Sequence, residues 1–204
     1  MMKAQTQMDT EFSKYLPQTE APKRSFRAEA WETIRFILIA LAVVIPIRVY
    51  IAQPFIVSGA SMDPTFATGQ YLIVDEVSYH LKDPVRGDVV IFKYPKNPKQ
   101  YFIKRVIGLP GETVIVNEEG KVFIKEVGAE ALTTLKEPYV KFTKSDAVET
   151  TLKENEFFVM GDNRAGSYDS RAWGPVSRDL IVGKAFVRLF PLSDTNILPG
   201  QFRQ

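Results

Sequence analysis

A serine with the surroundings of a nucleophile lies in residues 58–66, which read Ser-Gly-Ala-Ser-Met-Asp-Pro-Thr-Phe. Gly59 frees the backbone shortly before Ser61, and Pro64 holds Asp63 extended. A serine presented in this way could expose its hydroxyl and turn backbone N–H groups toward one point, as a nucleophile with an oxyanion site requires. In isolation, the stretch favours a simpler interpretation, a surface loop that happens to carry a serine.

The base that such a serine needs is not a histidine. The chain contains no cysteine and a single histidine, His80. These counts exclude a thiol nucleophile, a disulfide, a cysteine-based zinc site and a multi-histidine metal site. His80 is followed by the turn-like residues 82–84, and we interpret it as a surface or loop histidine. We therefore expect no metal or other cofactor, and a base of another type.

Lys104 is the candidate base. Residues 101–107 read Tyr-Phe-Ile-Lys-Arg-Val-Ile, and alternation along a strand places Phe102, Lys104 and Val106 on one face. Both faces are mostly apolar, so we expect a buried strand and a lysine whose pKa is lowered by several units from about 10.4. The neutral amine could then take the proton of a serine hydroxyl. The alternative is an edge strand whose basic groups reach solvent.

A third polar stretch, residues 160–175, reads Met-Gly-Asp-Asn-Arg-Ala-Gly-Ser-Tyr-Asp-Ser-Arg-Ala-Trp-Gly-Pro and lies between two apolar strands. Its Asp, Asn, Gly and Ser residues are also ordinary loop formers. Asp169 and Arg171 are close enough in sequence to tie the loop down with charge-assisted hydrogen bonds. Such a fixed loop could support a neighbouring lysine.

These stretches resemble the conserved boxes of the bacterial type I signal peptidases in residue types, order and spacing. The resemblance rests on Ser-Met-Asp-Pro-Thr, Lys-Arg-Val-Ile-Gly-Leu-Pro-Gly, Gly-Asp-Asn-Arg and Ser-Tyr-Asp-Ser-Arg-Ala-Trp-Gly, at 61–65, 104–111, 161–164 and 167–174. It covers about residues 31–190. The resemblance implies a membrane-bound serine endopeptidase that removes signal peptides from exported preproteins after Ala-x-Ala-like sites.

The resemblance also implies residue roles. Ser61 would be the nucleophile, and its backbone N–H would be one oxyanion donor. Lys104 would be the general base for acylation and would then activate the deacylating water. Ser167 aligns with a serine that orients the lysine, while Asp169 and Arg171 align with structural members of the loop.

Two further positions carry weaker implications. Met62 would lie beside the nucleophile in the substrate pocket. Some members of the family have a second oxyanion hydroxyl two residues before the nucleophile, where this chain has Gly59. Ser58 lies three residues before the nucleophile, so it is an oxyanion candidate that departs from that pattern, and a hole with one donor would be weaker.

The apolar segment before the nucleophile is predicted to be a transmembrane anchor at residues 31–52. The apolar window approaches the length of about 20 residues that spans a bilayer, and Trp31 and Tyr50 suit its two interfaces. A buried soluble helix would show a polar face, which residues 36–44 lack. A cleaved signal peptide would end in a small-x-small site, but Tyr50 stands two residues before Ala52.

The charges around this segment predict its orientation. Lys23, Arg24 and Arg27 precede it and favour a cytoplasmic N-terminus, although Arg48 at the far end counts against that orientation. The remainder of the chain would then lie outside the cytoplasm, attached to the cell membrane by a single pass. Because the link to Ser61 is short, we expect the active site near the bilayer, with lipid contacts from Phe55, Ile56 and Phe66.

The predicted fold class is mainly β: one N-terminal transmembrane helix followed by an all-β catalytic domain like that of the signal peptidases. We expect a flexible tail at 1–30, the anchor at 31–52 and the catalytic domain at 53–204, with a candidate insertion at 125–152. The short apolar runs that predict strands are 71–75, 88–92, 101–107, 113–116, 121–124, 157–160 and 181–190.

Composition and charge limit the partners. The formal net charge is only +2 and the charges are interspersed, so no nucleic-acid partner is expected. The expected partners are exported preproteins, bound as extended strands, and the lipid bilayer. The alternatives are a self-cleaving repressor-type Ser–Lys protease, which would lack the anchor, and a non-enzymatic membrane-tethered β domain that binds an envelope partner. A β-lactamase is disfavoured because Pro64 stands where that class has a lysine.

Overall fold

The computed structural model describes residues 26–46 and 52–202. The chain divides into two compact units, Met1–Val44 and Ile45–Gln204. Most of the predicted N-terminal tail and residues 47–51 of the predicted anchor lie outside the described residues. The boundaries predicted for the tail, the anchor and the catalytic domain therefore stay predictions.

The N-terminal unit contains helix α1, Phe26–Pro46, which begins five residues before the predicted start of the anchor. Glu29 lies in its first turn, where a negative charge is favourable next to the free N–H groups of the helix. Large apolar side chains along the helix are exposed, among them Trp31 and Phe36 with exposed fractions of 65% and 73%. None of the helices in the described ranges combines the length and apolar character that a bilayer crossing needs.

The regular structure of the second unit consists mainly of antiparallel strands. Two short helices, α2 (Ser78–Leu81) and α3 (Ser170–Trp173), and two 3-10 turns, Arg178–Leu180 and Leu192–Asp194, interrupt them. The strands are β1 (Ala52–Ile56), β2 (Tyr71–Asp75), β3 (Val89–Tyr94), β4 (Asn97–Gly108), β5 (Thr113–Val116), β6 (Val122–Lys125), β7 (Leu132–Thr134), β8 (Val148–Thr151), β9 (Glu156–Met160), β10 (Val176–Ser177), β11 (Ile181–Phe190) and β12 (Asn196–Ile197). The prediction of a mainly β chain is confirmed.

The larger sheet positions the predicted site. Its order is β1-β2-β11-β3-β4-β9-β10, and β12 pairs with β11. Strand β4 therefore lies between β3 and β9, with Lys104 opposite Val90. The alternative of an edge strand whose basic groups reach solvent is wrong, because β4 pairs with β3 on one side and with β9 on the other, and both Lys104 and Arg105 are buried.

The smaller sheet has the order β7-β6-β5-β8. Its central hairpin confirms the predicted pairing, with Thr113 opposite Lys125. The turn closes because the N–H of Gly120 donates to Asn117 O and because Gly120 adopts a φ of +78°, which favours glycine. Residues 125–152 contribute β7 and β8, so they complete this sheet.

Among the described residues, one hydrophobic cluster includes apolar residues of the serine loop and of the strand that follows it. Val57, Met62, Phe66 and Leu72 belong to it and are buried. Phe66 was expected to touch lipid, and this expectation is wrong, since its ring is fully buried. The reason is that the turn after Ser61 folds back onto the sheet, and Phe66 N–H donates to Met62 O across that turn.

Candidate active site

The structure brings Ser61 and Lys104 into direct contact. Lys104 Nζ lies 2.7 Å from Ser61 Oγ, although 43 positions separate the residues in sequence. A second hydrogen bond, of 2.9 Å, joins Nζ to the carbonyl oxygen of Ile103. Ser61 opens the turn Ser61–Phe66, called the nucleophile turn below, while Lys104 projects from the interior of the sheet. This separation is short enough for direct proton transfer between the two side chains.

The surroundings of Lys104 favour its neutral form. The residue is only 4% exposed, and this burial lowers the pKa of its amine from 10.5 to about 8. The negative charges of Asp169 and Asp162 act in the opposite direction but do not outweigh burial. The ring of Phe102 lies 5.4 Å from Nζ and contributes to the apolar environment. Lys104 is thus a base that is partly unprotonated near neutral pH.

Asn163 fixes the backbone of the nucleophile, and sequence reasoning gave it no role. Its N–H donates to Ser61 O at 3.1 Å, and its Nδ2 donates to Ala60 O at 3.0 Å. Its Oδ1 accepts from the N–H of Gly166, which holds the amide in this orientation. Asn163 therefore binds both the carbonyl of Ala60 and the carbonyl of Ser61, which flank the N–H of Ser61. Because asparagine is common in loops, its presence at position 163 gave no sequence signal for a contact with the nucleophile.

A buried ion pair lies behind the nucleophile turn. Arg105 Nε and Nη2 donate to the two carboxylate oxygens of Asp162 at 2.8 and 2.5 Å, and neither side chain is exposed. Thr65 Oγ1 donates to Asp162 Oδ2 at 2.5 Å. Asp162 therefore links strand β4 to the nucleophile turn. The sequence signal for this pair was an arginine within an apolar strand, but its partner lies 57 positions away.

Asp169 and Arg171 form the predicted tie within the polar loop. Arg171 Nε and Nη2 donate to Asp169 at 2.8 and 2.9 Å, and Asp169 Oδ2 also accepts from Gly161 N–H at 3.0 Å. Burial alone would raise the pKa of Asp169, but the hydrogen bonds and charge of Arg171 hold it below its usual range. Arg171 Nη2 also donates to Arg164 O at 2.8 Å. The geometric expectation for this loop is confirmed.

Ser167 lies close to the backbone of the nucleophile at Gly161. A Cβ placed on Gly161 would stand 2.3 Å from both Ser167 Oγ and Ser61 O, so all three residues meet around one glycine. Within the described residues, the buried Oγ of Ser167 makes no hydrogen bond of ordinary geometry, although its hydroxyl is close enough to Asp169 to help lower the pKa of that carboxylate. The hydrogen bonds of Lys104 go to Ser61 and Ile103, so the predicted contact from Ser167 to the lysine is not made in this conformation.

Met62 and Ser58 are placed differently from one another. Met62 is fully buried and packs in the cluster beneath the nucleophile, with Phe66 and Leu72, rather than against the open cleft. Ser58 is exposed and lines the cleft.

The predicted surface position of His80 is confirmed, since it is exposed on α2.

A cleft of about 290 Å³ opens over the dyad. Residues 55–61 and residues 101–104 of β4 provide most of its lining. Apolar side chains form much of the lining, including those of Leu72 and Ile91. In the described part of the chain, the N–H of Ser61 donates no hydrogen bond, so it is available to a ligand. No group of acidic and histidine side chains within residues 26–46 and 52–202 could hold a metal ion.

Comparison with known proteins gives a consistent result. The family model described as signal peptidase, peptidase S26, matches residues 30–190. A probable signal peptidase I-2 of Synechocystis is 34% identical over 188 residues, covering 89% of this chain and 83% of that protein. A signal peptidase I of Aquifex aeolicus is 34% identical over 211 residues, covering 76% of this chain and 82% of that protein. A crystal structure of a signal peptidase I from Enterococcus faecalis is 31% identical, with a TM-score of 0.42, covering 50% of this chain and 97% of that one.

Proposed function

Since this chain belongs to the signal peptidase family, peptidase S26, we propose that it cleaves signal peptides from preproteins with Ser61 and Lys104 as its catalytic dyad. The observation that carries the assignment is the 2.7 Å contact between Ser61 Oγ and a buried lysine amine. A non-enzymatic β domain gives no reason to bury a lysine against a serine hydroxyl, since burial of a charged amine is costly. That alternative is not favoured.

The geometry supports a two-step acyl transfer. The neutral Lys104 amine takes the proton of Ser61 as Oγ attacks the scissile carbonyl, and the oxyanion forms against the free N–H of Ser61. The C–N bond then breaks, the ammonium returns a proton to the departing amine, and an acyl-enzyme remains. The amine next takes a proton from water, which attacks the ester and releases the acid while Ser61 is reprotonated.

The supporting residues are assigned from their contacts. Asp169 and Arg171 hold the loop whose Gly161 and Ser167 lie against the nucleophile. Ser167 is assigned to orient Lys104 once the hydroxyl of Ser61 is esterified, because its buried Oγ makes no hydrogen bond of ordinary geometry beside the nucleophile.

Ser58 and Met62 have less direct roles in the proposed mechanism. Ser58 stays a candidate for a second oxyanion hydroxyl at the wall of the cleft. Met62 would act by packing beneath the nucleophile, since its side chain is enclosed in the core.

The cleft suits an extended, small-residue segment of a preprotein. It has a volume of about 290 Å³ and is lined by residues 55–61 and 101–104, which include parts of strands β1 and β4, and this favours an extended peptide paired with strand edges. Leu72, Ile91 and Ile103 narrow it with apolar side chains, so we expect alanine-sized side chains to be accepted and larger ones to be rejected. This selection corresponds to Ala-x-Ala-like cleavage sites.

We assign residues 31–52 as a single-pass anchor that keeps the catalytic domain outside the cytoplasm. Three exposed apolar side chains of α1, Trp31, Phe36 and Leu38, support this assignment, because such a surface is unfavourable in water. Ile56, which is 59% exposed beside the cleft, is the candidate for a lipid contact of the catalytic domain. A protease-protection assay on oriented vesicles tests the topology, and digestion of the catalytic domain from the cytoplasmic side would contradict it.

The test of the dyad is cleavage of a preprotein by purified protein in detergent. Ser61→Ala and Lys104→Ala should each abolish cleavage while leaving the far-ultraviolet circular dichroism unchanged. Lys93→Ala, on the neighbouring strand β3 and outside the cleft lining, is the matched control and should keep cleavage near the wild-type rate. Processing at the wild-type rate by either dyad variant would show that the mechanism is wrong.

A further inference from the structure

The last described residues of the chain, Leu198–Phe202, dock behind the nucleophile turn, and we call them the C-terminal tail. Two glycines make this docking feasible. A Cβ on Gly87 would lie 1.9 Å from Phe202 O, and a Cβ on Gly200 would lie 2.5 Å from Thr65 Cγ2. Any larger residue at either position would displace the tail or the turn. The tail is therefore fitted closely against a surface that includes the residue four positions after Ser61.

The tail completes the hydrogen bonding of a buried arginine. Arg105 has no solvent exposure, and its Nη1 donates to Gly87 O at 2.9 Å and to Gly200 O at 2.5 Å. The other two hydrogen bonds of its guanidinium go to Asp162. Because a buried N–H without a partner is unfavourable, removal of the tail would leave this guanidinium incompletely paired or open to water.

An aromatic pair covers the same guanidinium. The centre of the Arg105 guanidinium lies 3.9 Å from the centroid of the Tyr139 ring, and the ring of Phe202 packs against Tyr139 at 5.7 Å with an interplanar angle of 69°. Tyr139 belongs to the segment 125–152, to which the sequence assigned no role, and its hydroxyl donates to Glu137 at 3.1 Å. The guanidinium is thus held between the tail and this segment.

Arg105 connects the tail and Tyr139 to the nucleophile turn. It holds Asp162 in a bidentate pair, and Asp162 accepts the hydroxyl of Thr65 in the nucleophile turn. We propose that the C-terminal tail is a positioning element for Ser61: it fixes Arg105 and, through Asp162 and Thr65, the direction of the serine hydroxyl. This inference deepens the proposed peptidase function and rests on it for its kinetic test, although the structural coupling can be measured without activity.

The first experiment compares two shortened forms of the full chain. One ends at Pro199 and loses Gly200–Phe202, while its control ends at Phe202 and keeps them. With a preprotein substrate, the form ending at Pro199 should show a kcat at least about tenfold lower, because small displacements of a nucleophile reduce rates strongly. Its KM should stay within about twofold of the control. The pH midpoint of kcat should not move, because Lys104 is held by its own strand.

The second experiment uses a matched pair of glycines. Gly200→Ala adds a Cβ 2.5 Å from Thr65, whereas Gly128→Ala adds one with no atom within 4 Å. Both glycines have a φ of +73°, so the alanine in either variant would have to adopt the same unfavourable φ. The proposal expects Gly200→Ala to lower kcat at least about tenfold and Gly128→Ala to retain it. If the form ending at Pro199 does not fold, this comparison decides the question.

Amide hydrogen exchange of residues 58–66 provides a readout that does not depend on catalysis. Exchange there should be faster in the form ending at Pro199 and in Gly200→Ala than in their controls. Unchanged exchange together with an unchanged kcat would overturn the proposal, and so would a loss confined to KM. If the intact protein did not cleave preproteins, the proposed function would fail, whereas faster exchange would still establish the coupling between tail and nucleophile turn.

Discussion

Because burial lowers the pKa of Lys104, both kcat/KM for cleavage and the free energy of unfolding should depend on pH in a predictable way. The perturbation is pH itself, combined with the substitution Lys104→Met. Burial lowers the pKa of Lys104 from 10.5 to about 8, so about one tenth of the amine is neutral at pH 7 and about nine tenths at pH 9. If the neutral amine is the base, kcat/KM rises about tenfold between these values and its midpoint lies near pH 8. With an ordinary pKa, only about 0.03% would be neutral at pH 7.

The difference between the folded and the unfolded pKa of Lys104 also determines whether the free energy of unfolding rises or falls with pH. The folded pKa is lower than the unfolded one, so the unfolded chain binds more protons between about pH 8 and 10.5. The free energy of unfolding therefore rises with pH across that window. At about 1.36 kcal/mol per pKa unit, the group contributes about 3 kcal/mol of destabilisation below pH 8. Lys104→Met removes this contribution, and the stability of the variant relative to wild type should fall by about 3 kcal/mol between pH 7 and 10.5.

Two assays check these expectations. Initial rates of preprotein cleavage from pH 6 to 10 give the kinetic midpoint, and urea unfolding from pH 7 to 10.5 gives the stability difference. Ser61→Ala serves as the control for unfolding, because it is expected to be inactive but keeps the buried amine. A kinetic midpoint near 10.5, or a stability difference that does not change with pH, would refute the assignment of Lys104 as a buried neutral base.

Three other substitutions test the surroundings of the dyad. Gly161→Ala would place a Cβ 2.3 Å from Ser61 O, so cleavage should fall at least about tenfold; wild-type kinetics would show that the nucleophile is not confined there. Asp169→Asn leaves the buried Arg171 without its full counter-charge and should lower the free energy of unfolding by about 3 kcal/mol in denaturant titrations; an unchanged midpoint would remove the pair from the scaffold. Asn163→Ala deletes the side-chain hydrogen bonds to Ala60 O and Gly166 N–H, each worth about 1 kcal/mol. The activation free energy calculated from kcat should change more than the free energy of unfolding. A larger change in the free energy of unfolding would indicate that Asn163 has a purely structural role.

Local patterns predicted the parts of the fold that depend on neighbours in sequence. The alternation in residues 101–107 identified a buried strand, and the residues around Asn117 predicted a hairpin that forms as expected. Asp169 and Arg171, two residues apart, were correctly expected to pair. Each of these follows from backbone geometry or from groups that are close along the chain, so no knowledge of strand order was needed.

Pairings between distant residues were not predictable in the same way. Arg105 pairs with Asp162, and Arg164 pairs with Glu137, only because the sheet order and the segment after β6 bring them together. Met62 was expected in the substrate pocket but is enclosed in the core, since the fold of the nucleophile turn decides which side of it faces the cleft. Sequence patterns state that a residue is apolar or charged, but they do not state which neighbour covers it.

The sequence by itself determined the chemistry: a serine in a turn of small residues, a lysine in an apolar strand and no alternative base among cysteines or several histidines. Tertiary structure decided the distance of 2.7 Å between them, the burial that lowers the pKa of Lys104 and the docking of the tail at Gly87 and Gly200. The physical reason is that nucleophile strength, desolvation and close packing depend on atoms from strands far apart in the chain, and their arrangement exists only in the folded sheet.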